Sequence, residues 1–318
     1  MNNLHQIKNF PVSFFSIIMG LSGLTIVLQK AVDIFNIPKI VPLYVLYFSV
    51  IIFFVITIFY LLKILLSRHE VITEFNNPVK INFFPTFSIS LLLLSIAFLP
   101  VNIKASGYLW YSGMILHFII TLLIIGVWMH HDKFKITHMN PSWFIPAVGN
   151  ILVPVAGVTH LNPELSWFFF SFGLFFWIIL LTIFFYRIFF HEALVEKLIP
   201  TLFILIAPPA VGFISYFKLT GEINDFSRIL YYFAIFLTIL MTIQLKLHSK
   251  IKYYLSWWAY SFPLAAISIA SALMYHETQL IIYKYIFLIL LVSLISVIVL
   301  LLFKTAIAIL NRQICIEE

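Results

Sequence analysis

The sequence predicts an all-α integral membrane protein of ten transmembrane helices, and three observations carry that prediction. Hydrophobic residues make up 63% of the chain and charged residues only 10%, with a mean hydropathy of +1.07. A soluble protein of that composition would expose more apolar surface than water tolerates. Apolar runs of about 20 residues, the length that crosses a bilayer, follow one another almost without interruption. Prolines then fall in every second run and are missing from the interiors of the others. The 318 residues leave no room for a separate soluble module, so residues 1–318 are expected to form one membrane domain.

Taken in order, the runs lie at about 11–30, 40–66, 82–100, 105–130, 142–161, 163–188, 197–217, 223–247, 252–275 and 278–304. The first carries Pro11, Gly20 and Gly23; no small-residue cleavage site follows it, so it reads as a retained helix. The third carries Pro85. The fifth has Pro146, Gly149, Pro154 and Gly157, the seventh Pro200, Pro208, Pro209 and Gly212, and the ninth Pro263. In the even runs, Pro42 and Pro163 stand only at helix starts, where a missing amide costs little. Two classes of helix alternate, and each odd–even pair takes roughly fifty residues, which predicts five helical hairpins in series.

At about 100° per residue, each odd run gathers small and weakly polar residues on one face. These are Ser13, Ser16, Gly20 and Gly23; Thr86 and Ser90; Ser142, Pro146 and Gly149; Thr201, Pro208, Gly212 and Ser215; and Ser256, Ala259, Ala266 and Ala270. Irregular backbone at membrane depth is tolerated where protein or a cavity surrounds it, so the odd helices belong inside and the even, Leu/Ile/Phe-rich helices outside. Five such stripes suit either a central pore or a close-packed bundle with no passage. The ninth stripe is interrupted by one large ring, Phe262, which either fills a groove against a neighbour or plugs the passage. Pro263 cannot donate to the carbonyl of Ala259, so the helix is expected to kink or unwind locally there, with Phe262 displaced from helical geometry.

Charge is confined to the ends of the runs. Asp33, Glu164, Glu192, Glu196, Glu222, Asp225 and Glu277 fall at or near boundaries, and no titratable group stands at the centre of an odd run, as a proton-coupled carrier would require. Thirteen of the nineteen Lys and Arg residues share a side with the termini, which the positive-inside rule places in the cytoplasm, in a cytoplasmic (inner) membrane. The net charge of +7 is accounted for by lipid-facing boundaries and calls for no nucleic acid. His130, His131 and His138 with Asp132 match no strong metal spacing, and the lone Cys315 offers neither a disulfide nor a thiolate cluster. No metal or cofactor is expected. No phosphate loop, nucleophile elbow or paired membrane carboxylate is present, which leaves an enzyme as the least supported class. His117, alone in the fourth run, suits an interhelical hydrogen bond or a proton transfer.

Three stretches carry a family resemblance: Asn140 through Gly149 (NPSWFIPAVG), Pro200 through Phe213 with its Ala207-Pro208-Pro209-Ala210 centre, and Trp257 through Leu264 (WWAYSFPL). In this order they resemble the tellurite-resistance and dicarboxylate-transporter family, which includes TehA-like proteins and the slow-type anion channel of plant guard cells. The resemblance spans essentially the whole chain. It implies five hairpins around a central pore, a homotrimer with one pore per subunit, and a ninth-helix phenylalanine closing the pore, the position of Phe262. The expected function is an anion channel gated by Phe262 with Pro263, passing small inorganic anions. A carrier of C4-dicarboxylates or tellurite-related anions and a non-conducting scaffold or sensor are the alternatives.

Overall fold

The computed structural model describes residues 3–244 and 251–315, with side chains from residue 6 onward. Lys246, Lys250 and the expected end of the eighth run at 247 lie outside the described residues. Ten helices are long and apolar enough to span a bilayer: α1 (Val12–Phe35), α2 (Ile40–Leu66), α3 (Lys80–Phe98), α4 (Ile103–His130), α5 (Pro141–His160), α6 (Pro163–Phe190), α7 (Glu196–Thr220), α8 (Asp225–Ile243), α9 (Leu255–Thr278) and α10 (Ile281–Leu310). A short helix, Asn3–Lys8, precedes them, and another, Arg68–Asn76, links α2 to α3.

Burial separates the two classes that proline separated in the sequence. The most apolar stretches of the odd helices are 72–83% buried, whereas those of the even helices are 28–33% buried. Within each odd–even pair the connection is no longer than four residues, and the partners pack side by side. Asn102, Asn162 and Asn224 cap α4, α6 and α8 by accepting hydrogen bonds from backbone amides of the first turn. Asn36, Gly221 and Gln279 end α1, α7 and α9 in the left-handed conformation.

Every odd helix contains 3₁₀ turns at its N-terminal end and every even helix is continuous α-helix. The 3₁₀ segments are Val12–Phe14, Lys80–Phe83, Pro141–Trp143, Glu196–Ile206 and Leu255–Tyr260, with a second one, Gly149–Leu152, inside α5. The expected distortion at Pro263 therefore takes a different form. The chain winds as 3₁₀ through Leu255–Tyr260 and becomes regular α-helix at Ser261, so Pro263 stands in the first α-turn, where its missing amide leaves no intrahelical bond unmade. Phe262 is not displaced; it is an ordinary helical residue just past the junction.

Several carbonyls beside the breaks in α5 accept hydrogen bonds from side chains. Thr121 of α4 and the Asn150 amide donate to Pro146 O, Trp110 Nε1 donates to Val153 O at 2.9 Å, and the Ser215 hydroxyl of α7 donates to Ile151 O. An unpaired peptide carbonyl in a bilayer costs several kcal/mol, so these side chains are what make a broken helix tenable there.

Candidate functional site

The N-terminal ends of all five odd helices surround a cavity of about 490 Å³. Its lining includes Ser13 and Ser16 of α1, Thr86 of α3, Gly149 and Leu152 of α5, Pro208 and Val211 of α7, and Ser256, Ala259, Phe262 and Pro263 of α9. Exposed Lys197 and Val195 border it, so it is an open vestibule. Further along the same helices a second cavity of about 30 Å³ is lined by Ile26, Leu93, Ile96, Leu152, Val155, Val211, Ile214, Phe262, Ala266 and Ile269, without one polar residue. Leu152, Val211 and Phe262 line both cavities and so form the layer between them.

Phe262 is only partly buried, and no other aromatic ring packs on it among the described residues, although such ring pairs are numerous elsewhere in the chain. Gly23 of α1 lies opposite it. A Cβ there would lie 3.8 Å from Phe262 Cδ2 and 2.7 Å from the Cβ of Ala265, so the glycine lets α1 and α9 approach closely beside the ring.

Eight of the small and polar residues expected along the passage line neither cavity. Gly20 and Gly23 form the α1–α9 seam; a Cβ on Gly20 would overlap the Ser261 hydroxyl. The Ser90 hydroxyl donates to Thr86 O at 2.7 Å and that of Thr201 to Leu198 O at 2.6 Å. Ser142 is bound within the Asn140 cap, Pro146 presents its carbonyl to Thr121 and Asn150, Gly212 faces Leu230 of α8, and Ser215 holds Ile151 O. Small-residue stripes in membranes often serve close packing, and here Gly20 and Gly23 pack against α9 while Ser13 and Ser16 of the same stripe line the vestibule. Leu152 and Val211, missed in the sequence, stand three residues beyond Gly149 and Pro208 on the same faces. The signal was present, but their size hid it.

Hydroxyls that do line the vestibule are largely committed. Ser16 donates to Ser13 O at 2.6 Å, Thr86 to Phe83 O at 2.5 Å and Ser256 to Lys197 O at 2.6 Å. What they turn toward the cavity is oxygen lone pairs, which do not attract an anion. Positive potential comes instead from Lys80 and Lys197 in the lining and from five helix N-termini, whose first amides carry partial positive charge.

The vestibule also holds a feature with no signal in the periodicity. Lys63 of α2 and Glu74 of the linking helix form an ion pair of 2.6 Å, 4% and 6% exposed. Glu74 accepts further hydrogen bonds from Val12 N at 2.9 Å and the Tyr60 hydroxyl at 3.3 Å, and Lys63 also donates to Phe10 O at 3.0 Å. Lys63, expected at a lipid-facing boundary, is thus inside the protein, and it neutralises Glu74, the one carboxylate lining the vestibule among the described residues. On the neighbouring surface Lys8 hydrogen-bonds Glu70 and holds its carboxyl below the usual carboxylate range.

His117 makes an interhelical bond, Nδ1 to Ser88 Oγ at 2.9 Å. The Ser88 hydroxyl also lies 2.9 Å from Pro85 O. Among the described residues no three His, Cys, Asp or Glu side chains converge as a metal site. His130 and His138 are spent on local backbone contacts.

A family model described as voltage-dependent anion channel, SLAC1, matches residues 9–306. An uncharacterized transporter of Methanocaldococcus jannaschii is 29% identical over 298 residues, 86% of each chain. The S-type anion channel SLAH3 of Arabidopsis thaliana is 30% identical over 269 residues, 82% of this chain and 42% of the plant protein. The tellurite resistance protein TehA homolog of Haemophilus influenzae is 23% identical over 277 residues, 85% of this chain and 83% of its own.

Proposed function

The chain belongs to the SLAC1 family of voltage-dependent anion channels, and on that premise we propose that it is an anion channel of the cytoplasmic membrane whose route runs down the vestibule and is closed by Phe262. The observation that carries the reading is that one partly buried ring, with Leu152 and Val211, separates an open vestibule that carries lysines and hydroxyls from a small, wholly apolar cavity along the same five helices. An ion beside hydrocarbon loses hydration that nothing replaces, so an apolar layer stops it without a charged gate. Phe262 stands at the junction between the 3₁₀ segment Leu255–Tyr260 and the α-helix that Pro263 helps to open, and that junction is where the ring would shift. The vestibule faces the cytoplasm with both termini, by the distribution of Lys and Arg. The proposed assembly is a homotrimer with one route per subunit, the exposed apolar faces of even helices supplying the contact; a monomer by light scattering in detergent and in nanodiscs would remove that part of the reading.

Anion current tests the gate. Wild-type protein should be nearly silent in chloride and nitrate, Phe262→Leu should conduct weakly, and Phe262→Ala strongly, in membranes of matched protein content. Equal, undetectable currents from folded Phe262→Ala and wild type would overturn the gate. Saturable dicarboxylate flux with countertransport and no current beyond turnover would replace the channel with a carrier.

A further inference from the structure

The end of α10 is exposed as far as Gln313, and the chain then turns back so that Ile314 and Cys315 are partly buried. Gln313 N donates to Ala308 O at 2.8 Å and Arg312 N to Ile309 O at 3.0 Å, the paired bonds of a Schellman turn. That turn usually takes glycine at its left-handed position; here Arg312 occupies it with φ 53°, and Cys315 is left-handed again at φ 64°. L-residues adopt this conformation reluctantly, so contacts elsewhere must hold it. Those contacts are visible: Ile314 and Cys315 pack against the apolar core, and Gln313, Ile314 and Cys315 all line the vestibule. Burial pushes the Cys315 thiol up to about 11, with Lys63 of the buried ion pair opposing the shift.

We propose that residues Arg312–Cys315 form a strap, folded back from α10 onto the vestibule, that restricts access to it and must lift for full conduction. The strap is a second restriction, at the opposite end of the vestibule from Phe262, and acts on entry where Phe262 acts on passage. It rests on the reading of the vestibule as an anion route, but its docking can be read without conduction.

The first test measures accessibility. In Cys315→Ser protein a single cysteine is placed in the vestibule lining by Ser13→Cys, and its rate of reaction with a charged, water-soluble methanethiosulfonate is followed. Ending the chain after Asn311, or undocking the strap by Ile314→Glu in the full chain, should speed the reaction several-fold. Equal rates in all three proteins would overturn the strap as a cover. The second test measures anion current in the Phe262→Ala background, where the same two changes should raise current several-fold at equal expression. Faster labelling with unchanged current would overturn its control of conduction. If no Phe262→Ala protein conducts, the anion route falls while the labelling rates still decide whether the strap covers the vestibule.

Discussion

The two sides of Phe262 are built from the same five helices and have opposite chemistry. On the N-terminal side the helices begin in 3₁₀ turns, carry lysines and amide-rich helix ends, and enclose about 490 Å³; on the other they are regular α-helix, line about 30 Å³, and present only Ile, Leu, Val, Ala and the ring itself. The second volume matches roughly one water molecule, and it offers a water no polar partner. Attraction and resistance are therefore separated along the axis. On the proposed reading, anions are drawn to the lysines and helix N-termini of the vestibule and stopped at the apolar layer beyond it.

That separation can be broken most severely at the buried ion pair, since charge at this depth is confined to the vestibule side. Glu74→Gln leaves Lys63 charged and almost enclosed, with Phe10 O as its remaining full acceptor. Removing one partner of such a pair costs about 3–5 kcal/mol, while removing both charges can approach neutrality. Thermal unfolding in detergent should show a large loss for Glu74→Gln and for Lys63→Met alone, and recovery of most of it in the double variant. A loss under about 1 kcal/mol for the single variants would mean that water reaches the pair, as it does at surface ion pairs, and that the polar side extends further than its lining.

The apolar side is tested by giving it a polar group. In the Phe262→Ala background, Ile269→Ser places a hydroxyl in the second cavity, and current should rise several-fold again if hydrocarbon beyond the ring is part of the barrier. If Phe262→Ala alone already gives the full current, the ring is the whole barrier and the regular half is only a wide sleeve. A smaller effect separates gate from core. Phe213, fully buried and packed on Tyr231, should lose about 3–5 kcal/mol on truncation to alanine. Phe262, bordered by open space on two sides, should lose clearly less. Equal losses would return Phe262 to the role of packing.

Much of this arrangement is legible in the sequence because it follows from the backbone. Proline positions mark the inner helices, since Pro85, Pro146, Pro208 and Pro263 each stand within three residues of the 3₁₀ turns that only the inner helices contain. Asn102, Asn162 and Asn224 mark helix starts by their own side chains. Helical spacing also places Phe262 and Ala259 on the face that meets the vestibule. What spacing cannot supply is the far partner. Gly20 shares a face with Ser13 and Ser16, and Ser90 with Thr86; only the approach of α9 to the first and of α1 to the second decides which residues pack and which line a cavity. Lys63 and Glu74 sit in separate elements with no periodic relation, so their pairing is a fact of tertiary structure alone. Pro263 shows the limit at short range: the break was expected at the proline, but the 3₁₀ turns before it absorb the missing bond.

The smallest effect expected concerns the hydroxyls of the vestibule, and it bears on how the polar side attracts anions. Ser16 and Thr86 line the cavity, but each gives its proton to a backbone carbonyl one turn back. If those bonds persist while an anion is present, Ser16→Ala and Thr86→Val remove lone pairs rather than donors. Conductance and the chloride-to-nitrate preference in the Phe262→Ala background should then change by less than about twofold, a fraction of a kcal/mol on the scale where 1.4 kcal/mol is tenfold. Lys197→Gln should lower chloride conductance more than either, and more steeply at low ionic strength, because a charge at the mouth acts through a field that salt screens. A tenfold loss from Ser16→Ala would show that the hydroxyls release their carbonyls and turn to the ion, and that the helix ends alone do not hold it.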